Sequence, residues 1–151
     1  MMKKALFALL ALALSSVLAF ADGVVGFWTT IDDETKEAKS VVQIYEYEGK
    51  IYGRVVDVLK NKNATAKIPG SPKILGLDII WDLEKDGNEY NDGKILDPQK
   101  GKVYGCAIWR DGENLIVRGK IAFFGRNQTW LPNKTFKGDG KPLTPKKPKV
   151  D

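Results

Sequence analysis

The sequence VYGCAIWRDGENLIVRGKIAFF, which runs from Val103 to Phe124, decides the fold. Two segments rich in β-branched and aromatic residues, Val103–Arg110 and Asn114–Phe124, flank the dipeptide Asp111-Gly112. Asp-Gly between two such segments is one of the strongest short-range signals for a β-hairpin. The stretch therefore predicts two antiparallel strands that are joined by a tight turn.

The same strand pattern recurs along most of the chain. Six further segments have it: Val24–Ile31, Ser40–Tyr47, Lys50–Leu59, Ile74–Leu83, Gly93–Asp97 and Gly125–Leu131. The two-residue link Glu48-Gly49 predicts a second hairpin. Eight strands with tight links between sequential neighbours predict an all-β fold, a small antiparallel up-and-down barrel of about eight strands. One segment, Ile74–Leu83, also fits a helical turn, because three of its apolar residues have helical spacing.

Three glycines, Gly53, Gly105 and Gly119, lie inside the predicted strands. Glycine in a strand usually marks a bulge or a bend, which supports closure of the sheet into a barrel. The alternative is that a glycine only avoids a clash with a neighbouring side chain. The sequence leaves both explanations open.

The first 21 residues differ from the rest of the chain. Lys3 and Lys4 precede the apolar run Ala5–Leu14, and Ala19-Phe20-Ala21 has the pattern of a signal-peptide cleavage site. The apolar run is shorter than the roughly 20 residues of a membrane-spanning helix, so we expect a cleaved signal peptide rather than a membrane anchor. The expected mature protein is exported, to the periplasm or the extracellular space, and has no membrane span.

The remaining residues have the length of one domain, because removing residues 1–21 from 151 leaves 130. The removal also lowers the net charge from +5 to +3, which is too small to indicate binding to nucleic acid. We expect a barrel domain over residues 22–136. Residues 137–151 contain several lysines, three prolines and few apolar residues, which predicts a basic disordered tail.

The chain has one cysteine, Cys106, and no histidine. It therefore cannot form an internal disulfide, a zinc site built from cysteine and histidine, or a cysteine–histidine catalytic pair. Cys106 alternates with Tyr104 and Ile108, which indicates a small buried apolar residue. We expect that the protein is not an enzyme and that it carries no cofactor or metal.

Two acidic segments have simple structural explanations. The segment DLEKDGNEYNDG (Asp82–Gly93) matches the first half of a calcium loop, but Gly93 stands where a bidentate Glu belongs. An acidic hairpin loop is therefore favoured. The acidic cluster Asp32–Glu34 lies in a predicted exposed turn, which is a poor setting for acid–base catalysis.

The tripeptide Gly26-Phe27-Trp28 resembles the G-x-W signature of lipocalin-like barrels. The resemblance implies that Gly26, Trp28 and Arg126 close one end of the barrel, with Arg126 over the indole and Arg118 as second choice for that arginine. Longer stretches resemble a family of small exported bacterial proteins, domain of unknown function 2147: GFWTTIDDETKEAKSVVQIYEYEGKIYGRVV, ILDPQKGKVYGC and NLIVRGKIAFFGRNQTW. This second resemblance implies a lipocalin-like (calycin) barrel without an established activity.

Strand alternation selects the candidate ligand-binding residues. Arg54 shares a strand face with Tyr52, and an internal arginine would need a carboxylate from the protein or from a ligand. The predicted ligand-binding residues are Tyr52, Arg54, Tyr104 and Arg118. They indicate an exported lipocalin-like protein that binds a small apolar or amphipathic ligand. The alternative is a non-catalytic envelope scaffold whose barrel is filled by side chains, and the oligomeric state stays open.

Overall fold

The structure is a computed structural model that describes residues 23–150. It contains eight β-strands: β1 (Gly26–Ile31), β2 (Ala38–Tyr47), β3 (Lys50–Val58), β4 (Asp78–Asp86), β5 (Glu89–Asp97), β6 (Lys102–Asp111), β7 (Asn114–Ile121) and β8 (Phe124–Pro132). The expected signal peptide lies outside the described residues.

The eight strands form a closed antiparallel barrel in which each strand pairs with the next one along the chain. The prediction of an up-and-down barrel of eight strands is confirmed. The sheet closes between β1 and β8 through only two residue pairs, Trp28 with Pro132 and Thr29 with Leu131. This short pairing, which we call the β1–β8 seam, lies at one end of the barrel.

The connections distinguish the two ends of the barrel. Three two-residue turns, Glu48-Gly49, Gly87-Asn88 and Gly112-Glu113, lie at the end where β1 begins, which we call the Trp28 end. The opposite end, which we call the distal end, has three longer connections and one tight turn. They are residues 32–37, 59–77 and 98–101 and the turn Ala122-Phe123.

Three predicted strands differ from the observed ones by three or more residues at an end, and one of them is β5, which begins at Glu89 and not at Gly93. β4 begins only at Asp78, because residues 74–77 form a turn in which the amide of Leu77 donates to the carbonyl of Ile74 (3.0 Å). The predicted strand Asn114–Phe124 was too long, since the chain reverses at Ala122-Phe123 and Phe124 already belongs to β8. Neither alanine nor phenylalanine is a turn-forming residue, and the sequence therefore gave no signal at this position.

The two tight turns that the sequence predicted are both present, and one of them is shifted by one residue. The Glu48-Gly49 turn joins β2 to β3 as expected. The turn between β6 and β7 is Gly112-Glu113, because Asp111 itself pairs with Asn114. The acidic segment Asp82–Gly93 forms a hairpin around Gly87-Asn88.

Large apolar side chains fill the middle of the barrel and its Trp28 end. Among the largest side chains that are fully buried are Ile44, Ile80, Leu83, Ile108, Leu115 and Trp130. Such close packing of apolar groups is the main source of stability in a domain that has no disulfide. The barrel is therefore a packed core over this part of its length.

Two glycines allow this packing. The register between β3 and β4 shifts on both sides of Gly53, and a Cβ atom there would lie 3.0 Å from Cδ1 of Ile44. Gly93 is more crowded, because a Cβ atom would lie 2.6 Å from the carbonyl oxygen of Trp81 and 2.7 Å from Cδ2 of Leu83. Gly53 therefore serves both purposes that the sequence left open, a bend and the avoidance of a clash.

We predict that Gly93→Ala destabilises the barrel and that Gly105→Ala does not. A Cβ atom at Gly105 would be 3.6 Å from its nearest neighbours, which is an ordinary contact. Guanidinium unfolding should show a loss of about 1–3 kcal/mol for Gly93→Ala, the usual range for overpacking, and no loss for Gly105→Ala. Equal stability of the two variants would contradict the packing described for Gly93.

Candidate ligand-binding site

Trp28 is buried at the end of the barrel where β1 begins. Its indole N–H donates to the carbonyl of Val24 (2.8 Å). The guanidinium carbon of Arg110 lies 5.3 Å from the centre of the Trp28 ring. Arg110 also donates to the carbonyls of Gly23 (3.2 Å) and Gly112 (3.0 Å), which hold it across the barrel end.

Arg126 does not lie over Trp28, and this part of the expectation was wrong. Arg126 is near the distal start of β8, whereas Trp28 pairs with Pro132 at the other end of that strand. Its guanidinium forms ion pairs with Asp33 and Glu34, and 63% of its side chain is exposed. The arginine that lies over Trp28 comes from β6, and no signal in the sequence distinguished it.

A shallow depression of about 330 Å³ lies beside Trp28. It is lined by Val25, Gly26, Phe27, Trp28, Arg110, Glu113, Pro132 and Lys134. Gly26, the third residue predicted for barrel closure, thus lies beside Trp28 at this end. The depression opens to the outside of the barrel and not into its packed interior.

Arg54 finds its carboxylate within the protein. Nε of Arg54 lies 2.7 Å from Oδ1 of Asp78, a residue whose side chain is completely buried. The hydroxyl of Tyr45 donates to the same carboxylate (2.8 Å), and the ring of Tyr45 stacks on Tyr52 at a centroid distance of 5.6 Å. Burial, together with the hydrogen bond to Asp78, raises the pKa of Tyr45 well above its usual range. We call these four residues the Arg54 cluster.

The C-terminal segment covers the Arg54 cluster, which differs from the expectation of a disordered tail. The carbonyl of Thr144 accepts from Nη2 of Arg54 (2.7 Å), and the amide of Lys146 donates to Asp78 (2.8 Å). Lys147 pairs with Asp82 (2.6 Å), and two apolar side chains of the segment, Leu143 and Val150, pack against the core. Composition did not predict this contact because backbone groups make much of it.

The four predicted ligand-binding residues do not come together. Tyr52 and Arg54 lie on the outer face of the barrel, on the opposite face of β3 from Gly53. Arg118 is also on the outer face, where it donates to the side-chain oxygen of Asn127 (2.9 Å). Tyr104 lies on the inner face, because it shares one face of β6 with the buried Cys106. A ligand inside the barrel would therefore contact Tyr104 alone among the four.

The inner face becomes exposed toward the distal end. Tyr104 pairs with Ile95, both are half-buried, and a Cβ atom at Gly119 would lie 3.7 Å from Cβ of Tyr104. Beyond them, Ile121 pairs with Phe124 on the same inner face, with 58% and 80% of their surfaces exposed. We call these five residues the distal inner face.

The distal inner face lies where β8 has left β1. The β1–β8 seam ends at Leu131, and residues 124–130 of β8 have no partner in β1 among the described residues. Over this length β8 pairs only with β7, through pairs that reach from Leu115–Trp130 to Ile121–Phe124. The backbone pairing of the barrel wall is therefore discontinuous at its distal end, where ion pairs of Arg126 with Asp33 and Glu34 connect the two edges beside exposed apolar side chains. Sequence reasoning missed these residues because it placed Ile121 and Phe124 in one continuous strand.

Cys106 is buried beneath the distal inner face. It pairs with Gly93 and Gly119 and is 2% exposed. Burial raises the pKa of its thiol to about 12. A thiol that stays protonated and covered is a poor nucleophile, so Cys106 acts as the small apolar residue that the sequence predicted.

The sequence profile of one bacterial protein family matches residues 26–131. That family is described as an uncharacterized protein conserved in bacteria (DUF2147). The chain belongs to this family. The matched residues begin at the G-x-W tripeptide and end at Leu131, so that they include all of the barrel strands except Pro132, and not the C-terminal segment.

A solved structure supports the lipocalin-like fold of this DUF2147 protein. It is protein HP1028 from the human pathogen Helicobacter pylori, which is described as belonging to the lipocalin family. The two chains align with a TM-score of 0.62 and 20% identity, over 74% of this chain and 84% of the other. No curated protein shows a significant match. In the described part of the chain, no helix has the length and hydropathy that a transmembrane span requires.

We predict that Arg110, and not Arg126, is energetically coupled to Trp28. Trp28→Ala should lower the free energy of unfolding by about 3–5 kcal/mol, as large aromatic deletions in cores do. In double-mutant cycles with Trp28→Leu, Arg110→Met should show a coupling of about 0.5–2 kcal/mol, and Arg126→Met none. Coupling to Arg126 instead, or a loss below about 1 kcal/mol for Trp28→Ala, would contradict this arrangement.

We predict that the C-terminal segment contributes to the stability of the barrel. A chain that ends at Phe136 loses the hydrogen bonds of Thr144 and Lys146 to the Arg54 cluster, so its free energy of unfolding should fall by about 2–4 kcal/mol. A control, Thr144→Ala, should have almost no effect, because the bond to Arg54 uses the backbone carbonyl of residue 144 and not its side chain. Unchanged stability of the truncated chain would support a disordered tail.

Proposed function

We propose that this protein binds a small apolar or amphipathic molecule at the distal inner face of its barrel. The observation that carries the proposal is the exposure of Ile121 and Phe124 on the inner side of a discontinuous wall. Apolar groups that face a barrel interior and remain in contact with water are a favourable surface for an apolar ligand. The lipocalin-like fold and the family membership are consistent with such a role.

The packed interior limits the size of the proposed ligand. Ile80, Ile108 and Trp130 fill the barrel below the distal inner face, so the ligand cannot extend toward the Trp28 end without displacing them. An apolar part would lie along Ile95 and Gly119, and a polar part would point to solvent past the hydroxyl of Tyr104. The proposed ligand is therefore short compared with one that fills a whole barrel.

The side chains of this protein are better suited to binding a ligand than to catalysing a reaction. The sequence has no histidine, and the thiol of Cys106 is buried with its pKa raised to about 12. Asp78, a completely buried carboxylate, is held by Arg54 and Tyr45 in an ion pair and a hydrogen bond. We further propose, from residues 1–21 of the sequence, that the protein acts outside the cytoplasm.

A second candidate is a scaffold that binds no small molecule. It is favoured by the packing of the barrel, in which Ile44, Leu83 and Leu115 are fully buried. Small barrels are often filled in this way, and their function then lies on the outer surface.

The test is native mass spectrometry of the protein purified from a bacterial periplasm, followed by titration with the uncharged fluorophore N-phenyl-1-naphthylamine. We expect the mass of residues 22–151 plus a discrete additional mass that organic solvent removes. We also expect saturable fluorescence enhancement with the emptied protein. A bare polypeptide mass without any fluorophore binding would contradict ligand binding and support the scaffold.

Two matched variants locate the ligand. Gly119→Leu places a side chain on the distal inner face, and Gly105→Leu places the same side chain on the outer face of the neighbouring strand. Fluorophore affinity should fall at least about tenfold for Gly119→Leu, because the leucine would occupy space that the fluorophore needs, and remain unchanged for Gly105→Leu. Equal affinities would contradict the proposed location.

A further inference from the structure

Exposed apolar residues are concentrated at the distal end of the barrel. Six of the eight large apolar residues that are exposed lie there: Leu59, Leu75, Val103, Ile121, Phe123 and Phe124. The other two, Val25 and Leu131, lie at the Trp28 end. Single exposed apolar residues are common on protein surfaces, but a cluster at one end marks a contact surface.

The turn Ala122-Phe123 forms the tip of this surface. Phe123 is 99% exposed, and Ala122 has a φ angle of 52°, a conformation that glycine or asparagine usually adopts. Two-residue hairpin turns normally contain glycine, asparagine or aspartate. Here four apolar residues in succession, Ile121 to Phe124, form the tip, which does not serve the stability of the turn.

The distal end also has an excess of lysines. Its acidic side chains pair with cations of the same end: Asp32 with Lys39, Asp33 and Glu34 with Arg126, Glu37 with Lys60, and Asp57 with Lys62. One further carboxylate, Asp97, accepts from the backbone amides of Gln99 and Lys100. Among residues 23–150, six exposed lysines in the distal connections or next to the distal strand ends have no ion pair: Lys36, Lys67, Lys73, Lys100, Lys102 and Lys120.

We propose that the distal end docks on an anionic lipid surface. Phe123 and Phe124 would enter the boundary between headgroups and acyl chains, while the six unpaired lysines contact the anionic headgroups. Apolar residues beside lysines are the combination that binds such surfaces. A second copy of this chain fits less well, because two distal ends would bring their lysines together. This proposal goes beyond the binding of a small ligand and does not depend on it.

The test is co-sedimentation of the protein with lipid vesicles. We would use residues 22–151, because the complete barrel lies within the described residues and residues 1–21 would add an apolar segment of their own. Vesicles of equal parts phosphatidylglycerol and phosphatidylcholine should bind the protein, and vesicles of phosphatidylcholine alone should bind it at least about tenfold more weakly. Raising the salt concentration from about 0.05 M to about 0.5 M should weaken binding to the anionic vesicles.

Matched variants at the two ends identify the surface. We expect Phe123→Ser/Phe124→Ser and, separately, Lys102→Gln/Lys120→Gln to weaken binding about tenfold or more. The controls are Val25→Ser/Leu131→Ser and Lys50→Gln/Lys134→Gln at the Trp28 end, which should bind like the unaltered protein. Denaturant melts would verify that all four variants are folded.

Three outcomes would overturn the docking proposal. The first is an absence of binding to anionic vesicles, and the second is binding that only the controls at the Trp28 end reduce. The third is a dimer in light scattering that Phe123→Ser/Phe124→Ser dissociates, without binding to vesicles, which would assign the distal end to self-association. None of these outcomes bears on fluorophore binding by the emptied protein, so the two proposals can fail separately.

Discussion

The short pairing between β1 and β8 is the constraint on which the rest of this structure depends. Two residue pairs close the barrel, and nearby contacts reinforce them. The backbone amide of Asn133 donates to the carbonyl of Phe27 (2.9 Å), and the ring centres of Phe136 and Phe27 are 5.1 Å apart. Because the seam ends at Leu131, the Trp28 end is a continuous wall around a packed core. Toward the distal end the same strands separate, and side chains that would otherwise form part of a core remain in water.

The outer face of the barrel has a different structural feature, a charged group that is buried. Asp78 is completely buried, and a buried carboxylate without partners would be strongly destabilising. Arg54, Tyr45 and the amide of Lys146 supply those partners from three separate parts of the chain. The arginine that sequence reasoning offered to a ligand is therefore already neutralised by the protein. What remains available for binding is apolar surface and exposed lysine.

Much of the fold followed from the sequence, because strand pattern and turn chemistry are local. The hairpin between β6 and β7 is an example, because the dipeptide Asp111-Gly112 indicated its turn to within one residue. Two of the errors concern partners that are distant in sequence. Arg110 rather than Arg126 lies over Trp28, since strand direction decides which end a residue reaches. The C-terminal segment binds largely through its backbone, which composition does not reveal.

The sequence did not predict the exposed apolar turn at the distal end, and the physical reason also bears on the role of this turn. Glycine, asparagine or aspartate normally indicates a turn in a sequence, and Ala122-Phe123 contains none of these residues. Apolar residues in a turn are unfavourable both for the turn geometry and for contact with water. Their presence at this turn therefore indicates a role other than stabilising the fold. Contact with lipid at Phe123 and contact with an apolar ligand at Ile121 are both such roles, and they are compatible, because Phe123 is 99% exposed in the turn while Ile121 belongs to the inner face of the barrel.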